Sequence, residues 1–237
     1  SAPDSVEHYG CARYWGKLPL GSSTNIKLHP NDEDLLQEYI QTVKDKGFEY
    51  ATFIPRANHK CLQLSHEIRN RLGFTDSVKV GDLLLVTQNN LLTGLVNGDF
   101  VVMESIEETV EHRADLLFRP VKVRPMHSTE QKSVLLMESV LYSGYPSLDS
   151  KLQTGLFVDF IQRMKKMGIH PKRDKMAFDY AMLRDPYLNA LRCTFGYAIT
   201  CHKAQGGEWQ EIFINMPRNI MFNPTKNSYQ WVYTAMT

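Results

Sequence analysis

The chain has 237 residues, of which 43% are hydrophobic and 22% are charged, and its formal net charge is +1. This composition is that of a globular protein with one large or two small domains. It excludes a uniformly basic chain, so any nucleic-acid surface has to be a local patch. No segment of the sequence approaches the roughly 18 consecutive apolar residues of a membrane span, and the N-terminus lacks a signal-peptide pattern. The four cysteines form neither a CxxC pair nor a zinc-like spacing, so we expect reduced thiols in a cytoplasmic protein without a metal site. The alternative is a pair of disulfides.

Residues 1–30 are rich in Gly, Pro and Ser and predict an irregular segment. Gly10 and Gly16-Lys17 resemble a phosphate loop, but five residues separate the two glycines. Leu18 also occupies the position of the Ser or Thr that binds magnesium. We therefore expect no phosphate loop in this segment.

A helix–strand–helix pattern follows. Asn31 is placed to cap a helix whose first turn is acidic, and Gly47 is placed to end that helix. Residues 50–54 predict a short buried strand, and apolar residues at helical spacing predict a second helix that ends at Gly73. This order is typical of one unit of an α/β sheet.

The pattern changes near residue 77 to short β-rich runs separated by turn residues. Asn97-Gly98 predicts a tight turn, and residues 116–123 and 133–142 predict further strands. Residues 152–167 predict a helix, and the α/β pattern resumes at Thr194. We therefore predict an α/β domain formed by residues 31–76 and 193–237, into which residues 77–192 insert a small antiparallel barrel with some helix.

The most distinctive stretch is residues 200–208, Thr-Cys-His-Lys-Ala-Gln-Gly-Gly-Glu, which we call the elbow. Its glycines allow the backbone to approach a ligand closely, and the Glu208 carboxylate is suited to the hydroxyls of a sugar. Thr200, His202 and Lys203 offer hydrogen-bond donors to phosphate. The alternative is that Gly206-Gly207 only closes a tight turn and that the other side chains are solvated.

Two further features allow a functional and a structural interpretation. Arg56, at the end of the first predicted strand, can bind a phosphate with two parallel hydrogen bonds, or it is a surface arginine in a turn. The basic segment, residues 163–175, carries six Lys or Arg and one Asp. It can bind a nucleic-acid backbone, or it is the solvated end of a helix.

Four motifs, in this order, resemble those of the second motor domain of superfamily 1 helicases. Residues 54–58 read Ile-Pro-Arg-Ala-Asn, and residues 81–99 contain Gly81-Asp82 and a Gly-Leu-Val-Asn-Gly-Asp run. Residues 198–209 read AITCHKAQGGEW, close to T-x-H-K-x-Q-G-x-E-aromatic, and residues 231–237 read WVYTAMT, close to the start of Y-T-A-x-T-R. The barrel-like insertion resembles that of the RecD-like, 5′-to-3′ branch, which serves in DNA repair and recombination.

The resemblance implies a fold and a set of site residues. The fold would be a RecA-like parallel sheet interrupted by an SH3-like antiparallel barrel. Arg56 would be the catalytic residue that contacts the γ-phosphate of ATP. The ATP-binding residues would be Gln205, Gly206 and Glu208. The residues that bind nucleic acid would be Asn58, Thr200, His202 and Lys203. The charge of the basic segment, apart from the resemblance, adds Lys165, Lys166, Lys172 and Arg173 as candidates for the same role.

The resemblance also implies partners and missing parts. ATP and Mg²⁺ would be held mainly by a first RecA-like domain of the same parent chain, and the track would be single-stranded DNA. The sequence has no phosphate loop and no acidic pair after an apolar strand, and it stops at Thr237, before the arginine of the last motif. We therefore expect a fragment of an ATP-dependent helicase that is inactive alone. The alternative is a non-catalytic nucleic-acid-binding module.

Overall fold

The computed structural model describes residues 25–57, 59–75, 77–143, 145, 147–217 and 225–236. The helices in this part of the chain are α1 (Asp32–Lys46), α2 (Lys60–Arg71), α3 (Glu138–Leu141), α4 (Ser150–Lys166), α5 (Lys175–Arg184), α6 (Cys201–Ala204) and α7 (Lys226–Met236). The strands are β1 (Ala51–Pro55), β2 (Leu83–Val86), β3 (Phe100–Ile106), β4 (Glu111–Arg113), β5 (Leu116–Pro125), β6 (Lys132–Met137), β7 (Cys193–Phe195) and β8 (Glu211–Asn215). None of the described helices is both long and apolar enough to cross a membrane.

The chain forms two compact units. Residues 1–61 and 199–237 make up the discontinuous unit, and residues 62–198 make up the central unit. The sequence placed these boundaries at 76/77 and 192/193 instead. The difference arises because α2 continues into the central unit and because β7 pairs with β2 there.

The discontinuous unit contains a two-stranded parallel sheet. β1 and β8 pair in register from Ala51 opposite Glu211 to Pro55 opposite Asn215, and every residue of β1 is buried. Helix α1 covers the sheet through Tyr39, whose ring lies 5.3 Å from the rings of both Phe53 and Phe213. The parallel pairing confirms a mixed α/β fold, whereas a wider RecA-like sheet stays a prediction.

The ends of α1 follow the sequence prediction. Asn31 adopts an extended backbone, and its side-chain oxygen accepts a hydrogen bond from Asp34 N at 2.8 Å. Three acids occupy the first turn, where the helix dipole favours negative charge. Gly47 ends the helix with a φ of +87°, which L side chains rarely adopt.

The central unit is built on a curled antiparallel sheet. Strand β2 pairs with β3 and β7, and β5 pairs with β3, β4 and β6. A parallel bridge between Leu136 and Leu191 links β6 to the residues that enter β7, so the path of pairing returns on itself. A bulge between Met103 and Ser105 bends β3. The antiparallel character is confirmed, and the SH3-like form stays a prediction.

Of two local predictions in the central unit, one was wrong and one was confirmed. The run predicted as a strand over 133–142 ends at Met137 and continues as helix α3, because a short apolar run fits a buried helix as well as a strand. Asn97-Gly98 forms the predicted tight turn, since Asp99 N donates to Val96 O at 3.1 Å, and this turn ends the longer connection 87–99. Asn90 organises this connection by accepting hydrogen bonds from the backbone N–H groups of Leu92 and Thr93, at 3.1 and 3.0 Å.

The helices of the central unit add two apolar clusters. Helix α4 begins at the cap Asp149, whose carboxylate accepts a hydrogen bond from Lys151 N at 2.8 Å. Its Phe160 packs against Phe178 of α5, with ring centroids 5.1 Å apart, and its Leu156 enters the cluster beneath β5. The predicted helix over 152–167 is therefore confirmed.

Arg192 is a buried charge whose removal is expected to stabilise the central unit. Arg192 is 6% exposed, and burial lowers the pKa of its guanidinium. Its Nε has no hydrogen-bond partner among the described residues. Because methionine fills a similar volume without that cost, Arg192→Met is expected to raise the free energy of unfolding by about 1–3 kcal/mol. Urea denaturation measures the change.

Arg119→Met is the matched control, because the Arg119 guanidinium binds the Glu138 carboxylate at 2.6 Å. This second substitution is expected to lower stability, since it leaves a buried carboxylate without its cation. A loss of stability in Arg192→Met as large as in the control would show that Arg192 has a partner in solution.

Candidate functional site

Arg56 lies directly after β1, at the carboxyl end of the parallel sheet. Its backbone N donates to Asn215 O at 2.8 Å, which extends the pairing of β1 with β8 by one residue. Its guanidinium carbon lies 5.0 Å from the centroid of the Trp231 ring in α7. Its Nε is buried and has no hydrogen-bond partner in the described part of the chain. A buried guanidinium nitrogen without a partner costs roughly 1–3 kcal/mol, so an anion that reached this nitrogen would be stabilised there.

The start of the elbow lies beside this arginine. Ile199 N donates to Phe53 O in the middle of β1 at 3.0 Å, so the chain enters the elbow alongside that strand. The Cys201 thiol lies 3.9 Å from Trp231 O. Burial raises the pKa of the Cys201 thiol, and the positive charge of Arg56 opposes that shift. Arg56, Cys201 and Trp231 thus form one group, which we call the Arg56 cluster.

Thr200 caps the short helix α6. Its hydroxyl oxygen accepts from Lys203 N at 3.3 Å, and its carbonyl accepts from Lys203 N and Ala204 N at 2.9 and 3.1 Å. The His202 side chain is exposed. Lys203 is half-buried, and burial lowers the pKa of its amine. These hydrogen bonds stabilise the backbone of α6, which carries the side chains of His202 and Lys203.

The elbow ends in a β-turn that requires glycine at one position. Gly207 N donates to Ala204 O at 3.0 Å, and Gln205 has φ −61° and ψ 129°. Gly206 has a φ of +84°, so the four residues form a type II turn. The tight turn of the alternative interpretation is therefore present. It leaves the side chains of Gln205 and Glu208 exposed.

Gly207 is required for a different reason. A Cβ atom at this position would overlap the ring of Trp209, well inside van der Waals contact. The absence of a side chain therefore allows the indole to fold back over the turn. This contact holds the chain between the turn and β8 close to the elbow.

The two ends of the parallel sheet hold different groups. Gln210 N donates to Tyr50 O at 3.0 Å, so the segment after Glu208 enters β8 at the amino end of the sheet. Arg56 lies at the carboxyl end, beyond Pro55 and Asn215. At 3.3 Å per residue, the five paired residues separate the two ends by about 13 Å. Arg56 and the segment after Glu208 therefore lie at opposite ends of the parallel sheet.

Comparison with known proteins identifies the segment that contains the elbow. Residues 195–237 match the family model of the UvrD-like helicase C-terminal domain. The match supports a superfamily 1 helicase C-terminal domain. We call residues 195–237 the UvrD-like segment. None of the curated proteins compared with the chain matches it.

The UvrD-like segment contains only part of the predicted site. Thr200, His202, Lys203, Gln205, Gly206 and Glu208 lie inside it, and Arg56 lies outside it. The fold brings Arg56 to Trp231 of the UvrD-like segment, a contact that the sequence did not predict. The signal that the sequence offered for Trp231 was an aromatic residue at the start of the last motif. Asn58 lies outside the described residues.

The predicted residues of the basic segment belong to the central unit, whereas the elbow belongs to the discontinuous unit. Lys165, Lys166 and Lys172 are exposed, and the first two lie in the last turn of α4, where the helix dipole favours cations. Arg173 is occupied by its own neighbours, since its guanidinium donates to Asp174 at 2.9 Å and to Gly168 O at 2.7 Å. These positions fit the solvated helix end of the structural interpretation as well as a phosphate-binding surface.

Within the described ranges, no three His, Cys, Asp or Glu side chains come together as a metal site would require. Cys61, Cys193 and Cys201 are free thiols there. Burial raises the pKa of the Cys61 thiol to about 11, so it is protonated at neutral pH. The described cysteines therefore provide no activated nucleophile.

Gly207→Ala is expected to displace the Trp209 ring from the elbow. The added methyl group occupies the position of the indole, so the ring has to move toward water. The measurement is Trp209 fluorescence in a chain whose other tryptophans, Trp15 and Trp231, are replaced by Phe, and a red shift is expected. Gly155→Ala in α4, where a Cβ meets no atom within 4 Å, is the control and should leave the emission unchanged. An unshifted spectrum in Gly207→Ala would contradict the packing.

Proposed function

We propose that this chain is the second motor domain of an ATP-dependent, RecD-like DNA helicase. It would supply half of an ATP cleft and part of a single-stranded DNA groove. The observation that carries the proposal is the Arg56 cluster, in which a buried Nε without a partner lies beside the elbow of the UvrD-like segment. An arginine held in this way is suited to a phosphate that arrives from a neighbouring domain.

The described residues fit one part of a bound nucleotide and not the whole. Arg56 offers an unoccupied donor to the γ-phosphate, and the exposed Glu208 carboxylate offers an acceptor to the ribose hydroxyls. Gln205 and Gly206 form the turn that precedes this carboxylate. The proposal assigns the phosphate loop and Mg²⁺ to a first motor domain. When bound there, Mg²⁺ neutralises charge on the phosphates.

Coupling between nucleotide and strand would pass through α6. The Arg56 cluster includes Cys201, the first residue of α6, while His202 and Lys203 follow on the same short helix. Movement of Arg56 toward a phosphate would change its contact with Trp231 and with it the position of α6. Thr200, His202 and Lys203 would then bind the DNA backbone with different affinity in the ATP-bound and ADP-bound states. Stepwise movement along the strand requires such a difference in affinity. The 5′-to-3′ direction rests on the likeness of the insertion to the RecD-like branch.

The test uses a joined protein, in which a phosphate-loop motor domain precedes this chain and an arginine-containing extension follows residue 237. Glu208→Ala is expected to raise the KM for ATP by about tenfold with little change in kcat, because a ribose contact is made equally in the ground and transition states. The measurement is ATP hydrolysis at saturating single-stranded DNA.

Glu211→Ala is the matched control, because Glu211 lies three residues further on and its carboxylate binds Lys46 at 3.2 Å. It is expected to leave the KM for ATP unchanged. An equal KM in Glu208→Ala and in the unmodified joined protein would remove Glu208 from the nucleotide site. If the joined protein binds single-stranded DNA but does not hydrolyse ATP, the non-catalytic binding module is the better account.

A further inference from the structure

Helix α5 carries large apolar side chains on its outer face. Met176, Tyr180 and Leu183 are 88%, 58% and 52% exposed. Their spacing of four and three residues places them one above another along one stripe of the helix. The opposite side of α5 faces the core through Phe178, which packs on Phe160 of α4. We call the stripe of Met176, Tyr180 and Leu183 the outer α5 face.

This face differs from the usual outer side of a surface helix. A helix that lies on a domain presents an apolar stripe to the core and polar side chains to water. Helix α5 is apolar on both sides, and three large side chains on successive turns form a contiguous exposed patch. Patches of this kind mark surfaces that another molecule covers. None of the residues assigned to ATP or to the elbow lies on α5, so the proposed helicase site does not account for it.

The surroundings of the outer α5 face are positively charged. Lys172 and Lys175 flank its amino end, and Arg184 flanks its carboxyl end; all three are exposed. The Arg184 guanidinium lies over the Tyr180 ring, 4.6 Å from its centroid. Asp179 is the half-buried acid on α5, while Arg173 and Asp174 compensate each other. The rim of the patch therefore carries more exposed cationic side chains than acidic ones.

We propose that the outer α5 face docks an acidic amphipathic helix of another protein. The partner would place leucine-like side chains on Met176, Tyr180 and Leu183 and carboxylates opposite the cationic rim. A second copy of this chain would bring like charges together, which disfavours it. Nucleic acid fits less well, because the centre of the patch is largely aliphatic and Arg184 already covers the Tyr180 ring.

The test uses two labelled helical peptides with the same leucine heptads, one with Glu and one with Lys at the flanking positions. Fluorescence anisotropy measures their binding to the full chain at low salt. The Glu peptide is expected to bind at least about tenfold more tightly than the Lys peptide. Its binding is expected to weaken as the salt concentration rises.

Variants separate the apolar and charged contributions. Met176→Glu with Leu183→Glu is expected to abolish binding of the Glu peptide, and Lys172→Glu with Lys175→Glu to weaken it by about tenfold. The controls are Leu91→Glu and Lys122→Glu, at exposed positions elsewhere in the central unit, and these should bind as the unmodified chain does. Because the altered side chains are exposed, circular dichroism should show every variant folded.

Three results would overturn the proposal. Equal binding of the two peptides would show unspecific apolar contact. Binding of an oligothymidine that Met176→Glu abolishes, without binding of the Glu peptide, would assign the face to nucleic acid. A dimer in sedimentation that Met176→Glu dissociates would assign it to a second copy of the chain. The outcome is independent of ATP hydrolysis, so it does not depend on the proposed helicase function.

Discussion

Replacement of Arg56 by lysine is expected to lower kcat for DNA-stimulated ATP hydrolysis by the joined protein about 10³-fold. An arginine that contacts the transferring phosphate contributes on this scale, because it meets charge that develops in the transition state. Lysine keeps the positive charge but not the planar pair of donors or the stacking on an aromatic ring. The Trp231 ring, 5.0 Å from the guanidinium carbon, would lose that contact.

The stability of the Arg56→Lys variant separates catalysis from folding. Because the Arg56 Nε has no hydrogen-bond partner in the described chain, its loss is expected to leave the thermal midpoint unchanged or slightly raised. Arg71→Lys is the control, since Arg71 forms a surface pair with Glu67 and lies outside the proposed site. A kcat for Arg56→Lys equal to that of the control would show that Arg56 does not reach the phosphate.

Asp82→Ala is expected to destabilise the central unit by about 3–5 kcal/mol, the cost of leaving a buried charge without its partner. The Asp82 carboxylate is fully buried and binds Arg69 with two hydrogen bonds of 2.8 Å. It also accepts from the Tyr197 hydroxyl at 2.7 Å and from Lys79 N at 2.7 Å. Burial raises the pKa of Tyr197 first of all, and the charge of Asp82 adds to it, so the hydroxyl stays a donor. Urea denaturation measures the loss.

Two further variants test whether the loss of stability in Asp82→Ala comes from the buried charge that is left without a partner. Glu67→Ala removes a surface ion pair in which the two side chains are 30% and 39% exposed, and it is expected to cost less than about 1 kcal/mol. Arg69→Met combined with Asp82→Leu removes both charges and is expected to recover part of the loss. If Asp82→Ala costs no more than Glu67→Ala, the buried network does not hold the central unit together.

The sequence predicted the elements whose signals are local. The cap at Asn31, the stop at Gly47 and helix α4 follow from residues within a few positions of each other. The continuation of β6 into α3 was missed, because alternation over a short apolar run does not distinguish a strand from a buried helix. The end of the strand depends on tertiary pairing instead, since Leu136 bridges to Leu191 and the chain then turns into α3.

The candidate site shows the same division. The tight turn at Gly206 could be predicted, because a glycine with a positive φ is a local property of the chain. The stacking of Arg56 on Trp231 joins distant parts of the chain, and so does the bond between Asp82 and Tyr197. Sequence patterns predicted no partner for Arg56 or for Asp82. Arg56 itself was a candidate because of its position at the end of a strand.

The most direct test of the central claim is ATP hydrolysis by the joined protein with and without single-stranded DNA. We expect no hydrolysis by this chain alone or by the phosphate-loop domain alone. Together they should hydrolyse ATP at a rate that single-stranded DNA increases, and Arg56→Lys should lower that rate about 10³-fold. If the joined protein is folded and binds ATP but hydrolyses it no faster than the phosphate-loop domain alone, this chain does not complete an ATP cleft.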